Sequence, residues 1–262
     1  MEKINFKKKF GQNFLTDKNL LSSIVRDAGV TENDVVVEIG AGAGALTEQL
    51  AKVCKKLISF EIDKELEPLL NEKFQNFDNV NIIYEDFLNF NDDKIVELVE
   101  GGFKVVANLP YYITTPILTK LFNLKIRPTT ISVMVQKEVG ERIVADKNSS
   151  NYGYFSVFVQ ANANAKITRQ VNRKMFTPAP NVDSCIVRLD LKENMYEENF
   201  FNFLKTAFQM KRKTLANNVS SICKIDKSKI ENAIESLGFS KSVRADNLAI
   251  DELAMIYKEI NL

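Results

Sequence analysis

Apolar positions change their period several times along the chain. Leu20, Leu21, Ile24 and Val25 repeat at helical spacing, with Asp17 placed to cap the helix and Gly29 to stop it. Val35–Ile39 is instead a short apolar and β-branched run ending in glycines, the pattern of a buried strand. From there strand and helix patterns alternate. Helices are predicted at Leu46–Val53 and Lys64–Phe74, and strands at Lys56–Ile62, Val80–Tyr84 and Lys104–Ala107. A further helix opens at Thr115-Pro116, where proline suits the first turn, and a strand covers Ile131–Gln136. Alternation of this kind predicts a parallel sheet covered by helices.

Beyond the polar loop Asp146–Gly153, two more strands are expected at Ala165–Val171 and Ser184–Leu191, joined by the proline-containing loop Asn172–Asp183. After about Lys192 the period is helical and offers no strand candidate. The expected architecture is an α/β domain over 1–190 with a small all-α domain over 191–262. There are no internal repeats and no low-complexity segments.

Composition narrows the chemistry. The chain has 262 residues, 45% of them hydrophobic, and no apolar run near the roughly 18 residues of a membrane helix. The first residues, MEKINFKKKFGQNF, carry lysines without a following apolar stretch, so a secretory signal is not expected and a cytoplasmic location is. Lysine and arginine total 35 against 34 aspartates and glutamates, so a nucleic-acid partner would have to be met by basic residues segregated onto one face. There is no histidine, which removes the commonest proton shuttle and metal ligand. Cys54, Cys185 and Cys223 lie far apart and form no C-x-x-C pair, so neither a structural metal nor a disulfide framework is expected.

The loop Glu38-Ile39-Gly40-Ala41-Gly42-Ala43-Gly44 follows the first buried strand and precedes a helix. Glycines there let backbone approach a ligand that a Cβ would obstruct. Alone the loop would also pass for a dinucleotide fingerprint. Glu61 stands about twenty residues past Gly40, at the end of the second strand, where a carboxylate can accept both ribose hydroxyls of a nucleoside ligand. Asp86, just past the third strand, is a candidate acceptor for a cofactor's adenine amino group, or simply a turn residue.

Asn108-Leu109-Pro110-Tyr111 decides between cofactors. The lone pair of adenine N6 is delocalised into the ring, so the amine attacks poorly. Two acceptors on its two N–H bonds would pull it toward a pyramidal, attacking geometry. The Asn108 side-chain oxygen is one; the Leu109 carbonyl is the other, aimed because a residue before proline is extended. Tyr111 can stack on the base. Catalysis is then orientation and electrostatics, with a sulfonium methyl donor supplying the driving force and no strong base needed.

These residues give a chain that resembles, nearly end to end, the small-subunit (16S) ribosomal RNA adenine dimethyltransferases, the KsgA family. The anchors are Phe10-Gly11-Gln12-Asn13-Phe14-Leu15, the glycine loop, Glu61, Asp86, Asn108–Tyr111, Gln136-Lys137-Glu138-Val139, the run Phe176–Ser184 (FTPAPNVDS) and Lys211-Arg212-Lys213-Thr214-Leu215. The resemblance implies a Rossmann-like class I methyltransferase domain with a mostly parallel seven-stranded sheet. It also implies S-adenosylmethionine as cofactor and dimethylation of two adjacent adenines in the 3′-terminal hairpin loop of 16S rRNA, within an immature small subunit. Cofactor contacts carried over fall on Asn13, Leu15, Gly40, Glu61, Asp86 and Asn108, with Gly42, Ile62 and Phe87 beside them. Phe176 would face Tyr111 across the target base, in a loop stiffened by prolines. Tyr112 departs from the asparagine of many relatives and receives no role.

Two basic clusters are candidate RNA contacts: Lys7, Lys8 and Lys9 near the start, and Lys211, Arg212 and Lys213 in the helical region. A monomer without metal or membrane attachment is expected. Competing readings are a large-subunit rRNA methylase of the macrolide-resistance type, a non-catalytic assembly factor on the same fold, and an NAD enzyme, which leaves Asn108–Tyr111 without a purpose.

Overall fold

A computed structural model describes residues 14–15, 17–110, 113–193 and 195–260. Of the residues singled out above, Lys7, Lys8, Lys9, Phe10, Gly11, Gln12, Asn13, Tyr111 and Tyr112 lie outside that set. The chain forms two compact units, one of residues 1–140 and 166–191, the other of residues 141–165 and 192–262.

In the first unit the expected strands appear with small shifts at their ends. They are β2 (Val35–Ile39), β3 (Lys56–Phe60), β4 (Val80–Ile83), β5 (Lys104–Asn108), β6 (Thr130–Gln136), β7 (Ala163–Val171) and β9 (Ser184–Leu191). They make one seven-stranded sheet in the order β4-β3-β2-β5-β6-β9-β7. Pairs β4–β3, β3–β2, β2–β5 and β5–β6 are parallel, and β9 runs antiparallel to β6. Chain order reverses at β2, so β3 leaves to one side and β5 to the other, opening a crevice at the carboxyl ends of the strands. A second, two-stranded ladder pairs β1 (Phe14–Leu15) with β8 (Phe176–Thr177), placing Leu15 opposite Phe176. β8 lies inside the segment expected to be a loop.

Helix α1 (Lys18–Asp27) begins where Asp17 accepts hydrogen bonds from the N–H groups of Asn19 and Leu20, and buries Leu20, Leu21, Ile24 and Val25. That apolar stripe packs on one sheet face with α2 (Ala45–Ala51), against Val36, Val106, Met134 and Ile186. α3 (Glu67–Phe74) follows a 3₁₀ turn at Lys64–Leu66 and seats Leu70 and Phe74 near the glycine loop. α4 (Asp92–Val99), α5 (Thr114–Asn123) and α6 (Lys137–Ile143) complete the connections, α6 crossing from one unit to the other.

The second unit is helical, as its period predicts, but it starts earlier than expected. Besides α8 (Glu198–Ala207), α9 (Leu215–Cys223), α10 (Lys227–Ser236) and α11 (Ile250–Ile260) it contains α7 (Tyr154–Asn162). The physical reason is burial. Tyr152 and Val157 belong to the same apolar core as Phe200, Phe203, Leu204, Ile234 and Ile256, and the Tyr152 hydroxyl donates to the Leu248 carbonyl at 2.9 Å. A single boundary near residue 190 therefore separates the sheet from the last four helices but leaves Glu141–Ala165 on the wrong side. Among the described residues no helix is long and apolar enough to cross a membrane.

Candidate functional site

The glycine loop is a left-handed turn. Gly40, Gly42 and Gly44 have φ of 87°, 55° and 73°, values an L side chain resists. The Gly40 N–H donates to the Phe60 carbonyl at 2.8 Å, tying the loop to the end of β3. An added Cβ on Gly40 would point at the Asn108 carbonyl, 3.8 Å away, so at this point the backbones of the loop and of the β5 end are separated only by the space the missing side chain leaves.

Glu61 closes the loop from β3. One of its oxygens accepts from the Gly42 N–H at 2.7 Å and the other from the Asp63 N–H at 2.8 Å. Burial pushes its carboxyl above the usual range, against those backbone hydrogen bonds, which favour the charged form. The side chain is thus held rigidly with its oxygens at the cavity wall. Ile62, the next residue, is 47% exposed despite being aliphatic, and it too lines the cavity.

Asp86 stands just past β4. Its oxygens accept from the Leu88 N–H and the Asn89 side-chain amide, each at 2.9 Å, so it caps a turn, and it also lines the cavity. Phe87 behind it is buried, edge-on to Phe60 at 5.2 Å. Asn108 ends β5, beside Met134 of β6, and the Leu109 N–H donates to the Met134 carbonyl at 3.3 Å. The Pro110 carbonyl accepts from Ile113 at 3.2 Å, turning the chain into α5.

These residues share one cavity of about 240 Å³. Gly40, Gly42, Glu61, Ile62, Asp86, Phe87, Asn108, Leu109, Pro110, Leu15 and Phe176 all contribute to its wall. Phe176 is buried in the apolar cluster with Leu15 and lines the cavity. The wall includes residues that sequence reasoning did not assign to a site. Leu21 and Ile24 come from α1, Met134 from β6, and Ile113 and Ile117 from the start of α5. They carry no polar signature, so only the assembled fold reveals them. Glu38 was also passed over, although a charged residue inside an apolar strand is a visible signal.

The residues present fit a nucleoside cofactor. The glycine turn offers close backbone approach, Glu61 offers two oriented oxygens for vicinal hydroxyls, and Ile62 and Phe87 offer apolar surface for a base. Lys211, Arg212 and Lys213 lie in the other unit, exposed in the turn between α8 and α9. The Lys211 ammonium donates to the Ser150 carbonyl at 2.8 Å, so this turn leans on the Asp146–Gly153 loop.

Comparison with known proteins is consistent along the whole chain. A family profile described as ribosomal RNA adenine dimethylase matches residues 3–262. The chain is 41% identical to a ribosomal RNA small subunit methyltransferase A of Oceanobacillus iheyensis, covering 96% of this chain and 89% of that protein. It is 38% identical to the protein of the same name from Clostridium acetobutylicum, covering 99% and 96% respectively. Among solved structures, a dimethyladenosine transferase from Plasmodium falciparum matches with a TM-score of 0.81 at 26% identity, covering 95% of this chain and 97% of that one. The 23S rRNA methyltransferase ErmE matches at 0.74 with 22% identity, covering 95% and 100%, a likeness of fold.

Proposed function

Because the chain belongs to the ribosomal RNA adenine dimethylase family, we propose that it dimethylates N6 of two adjacent adenines in the 3′-terminal hairpin loop of 16S rRNA, within an immature small ribosomal subunit. It is an rRNA adenine methyltransferase that uses S-adenosylmethionine. The proposal extends to a cytoplasmic monomer. The observation that carries the site assignment is the meeting of Asn108, Leu109 and Pro110 with the glycine loop, Glu61 and Asp86 around one cavity.

The cofactor, when bound, supplies an electrophilic methyl group on a sulfonium. Glu61 and the backbone of Gly40 and Gly42 would hold its nucleoside, and Asp86, Ile62 and Phe87 would meet its base. Leu15, and Asn13 outside the described residues, would add contacts to the cofactor. Leu15 is buried at the cavity wall. The chain's work on the substrate is positional. The Asn108 side-chain oxygen and the Leu109 carbonyl accept the two N–H bonds of the amine, which concentrates the lone pair on the face turned to the donor. Tyr111 and Phe176 flank the flipped base, each stacking contact worth roughly 1–3 kcal/mol. The amine's surplus proton leaves after transfer, when the nitrogen is far more acidic, so no histidine or other strong base is required.

Lys7, Lys8, Lys9, Lys211, Arg212 and Lys213 contact rRNA phosphates in this reading. Substrate choice is favoured toward the small subunit by the names of the relatives at about 40% identity, whereas the ErmE likeness is one of fold.

Asn108→Ala tests the site. It should nearly abolish transfer of labelled methyl to isolated small subunits while the unfolding midpoint stays near wild type. Retained turnover would defeat the role given to the Asn108 oxygen. Transfer to isolated large subunits instead would move the substrate assignment.

A further inference from the structure

Glu38 is the single charged side chain of β2, and the mechanism above gives it no task. It is completely buried, at 0% exposure. One carboxylate oxygen accepts from the Thr47 hydroxyl at 2.7 Å and the Ser59 hydroxyl at 2.6 Å, while the other has no hydrogen-bond partner among the described residues. An apolar residue would fill the same place without desolvating a charge.

Register shows where this carboxyl lies. Glu38 pairs with Ser59 on one side and Val106 on the other. Two residues further along the three strands stand Gly40, Glu61 and Asn108. Glu38 is therefore one pleat, about 7 Å, below the row from which the cavity is built, on the same sheet face. Helix α2 covers it through Thr47. The charged or titratable groups that act on it are Glu61 at the end of β3, Lys73 on α3 and Cys54 after α2. Lys73 is itself held by the Ala43 and Gly44 carbonyls, at 3.2 and 2.8 Å. Burial, opposed by the two hydroxyls and aided by the like charge of Glu61, pushes the Glu38 carboxyl up to about 7. At neutral pH it is poised between its two charge states.

We propose that Glu38 is a charge-selecting residue, which makes the cavity favour the cationic methyl donor over the neutral thioether left after transfer. The inference rests on reading the cavity as the S-adenosylmethionine site. Donor and product differ by one methyl group and one positive charge. A donor that delivers its methyl to an amine held at Asn108 keeps its sulfonium close to that row, and so within about one pleat of Glu38. Coulomb attraction at roughly 8 Å and an effective dielectric near 20 corresponds to a factor of about ten to thirty in affinity for a fully charged carboxylate. The neutral product gains nothing from that charge. Loss of the positive charge on transfer therefore weakens the hold on what remains and favours its departure.

The test is titration calorimetry of the full chain with S-adenosylmethionine and with S-adenosylhomocysteine, between pH 5.5 and 8.5, in two buffers of different ionisation enthalpy. The sulfonium makes the donor's α-ammonium more acidic than the product's, and this contribution, common to the wild type and Glu38→Gln, is removed by comparing the two. The donor-to-product ratio is expected to rise about five- to eightfold between pH 6 and pH 8, with more protons released on donor binding than on product binding near pH 7. In Glu38→Gln the rise should be absent. Ser59→Ala, which removes one hydrogen bond to the charged form, should shift the rise to higher pH. A flat ratio in the wild type overturns the proposal even if neither variant folds, and so does an equal rise in Glu38→Gln. Binding of both ligands with a flat ratio leaves the cavity assignment standing, whereas binding of neither removes that assignment and this inference together.

Discussion

Substituting alanine at Gly40 and at Gly44 should separate cofactor binding from folding, although both glycines belong to one turn. At Gly44, φ 73° and ψ 25° place the residue in the left-handed region, which costs alanine roughly 1–2 kcal/mol. Its new Cβ would lie 2.7 and 3.0 Å from two Phe74 ring atoms and 3.1 Å from a Leu70 methyl. Both neighbours are buried on α3, so neither can simply swing into solvent. Overpacking of that kind adds about 1–3 kcal/mol. Gly44→Ala should therefore lose roughly 2–5 kcal/mol of stability. At Gly40 the nearest atom to a new Cβ is the Asn108 carbonyl oxygen at 3.8 Å, an ordinary contact, so only backbone strain of about 1–2 kcal/mol remains. That Cβ, however, would stand in the gap between the loop and Asn108. Gly40→Ala should weaken S-adenosylhomocysteine binding by at least about tenfold. Urea unfolding followed by far-UV circular dichroism gives the first quantity, and calorimetry at saturating protein concentration gives the second. Equal stability losses in the two variants, or wild-type affinity in Gly40→Ala, would refute the reasoning.

Two further outcomes follow from the geometry. Glu61→Gln sets an amide NH₂ against one of the two backbone N–H groups, from Gly42 and Asp63, that its oxygens now accept. Cofactor affinity measured by calorimetry should fall at least about tenfold, and an unchanged value would remove Glu61 from the site. Replacing Lys211, Arg212 and Lys213 together by alanine should weaken small-subunit binding. It should also reduce the slope of log affinity against log salt by roughly two to three units. A filter-binding series that returns the wild-type slope would count against phosphate contact there.

The sheet was legible because its strands carry a simple signal. Runs rich in apolar and β-branched residues, interrupted by charge only at Glu38, Arg188 and Asp190, mark β2 and β9, whose ends match the expectation at both termini. Asp17 announced α1 through a cap that the structure contains. What escaped notice lacked a period or depended on partners. Residues 154–162 (YFSVFVQAN) are apolar almost all round, and the helix they form is told from a strand only by the core it enters with Tyr152 and Phe200. β8 is two residues long and exists because Leu15 lies beside it. For the site, residues with polar chemistry could be picked out one by one, since Gly40, Glu61, Asp86 and Asn108 each stand at or just past a strand end. The apolar wall from α1, β6 and α5 could not, because isoleucines and leucines facing a cavity look the same in sequence as those facing a core. Phe176 shows the limit well: it is at once a core residue and a wall of the cavity.

The chain passes between its two units at 140/141, 165/166 and 191/192. Neither unit is consequently a contiguous stretch that can be excised. A fragment starting at Lys192 would carry four helices but lack Val157 and the Tyr152 hydroxyl that donates to Leu248. Swapping this appendage between related enzymes by joining sequences at one seam would transplant an incomplete core, and a working chimera must exchange Glu141–Ala165 as well.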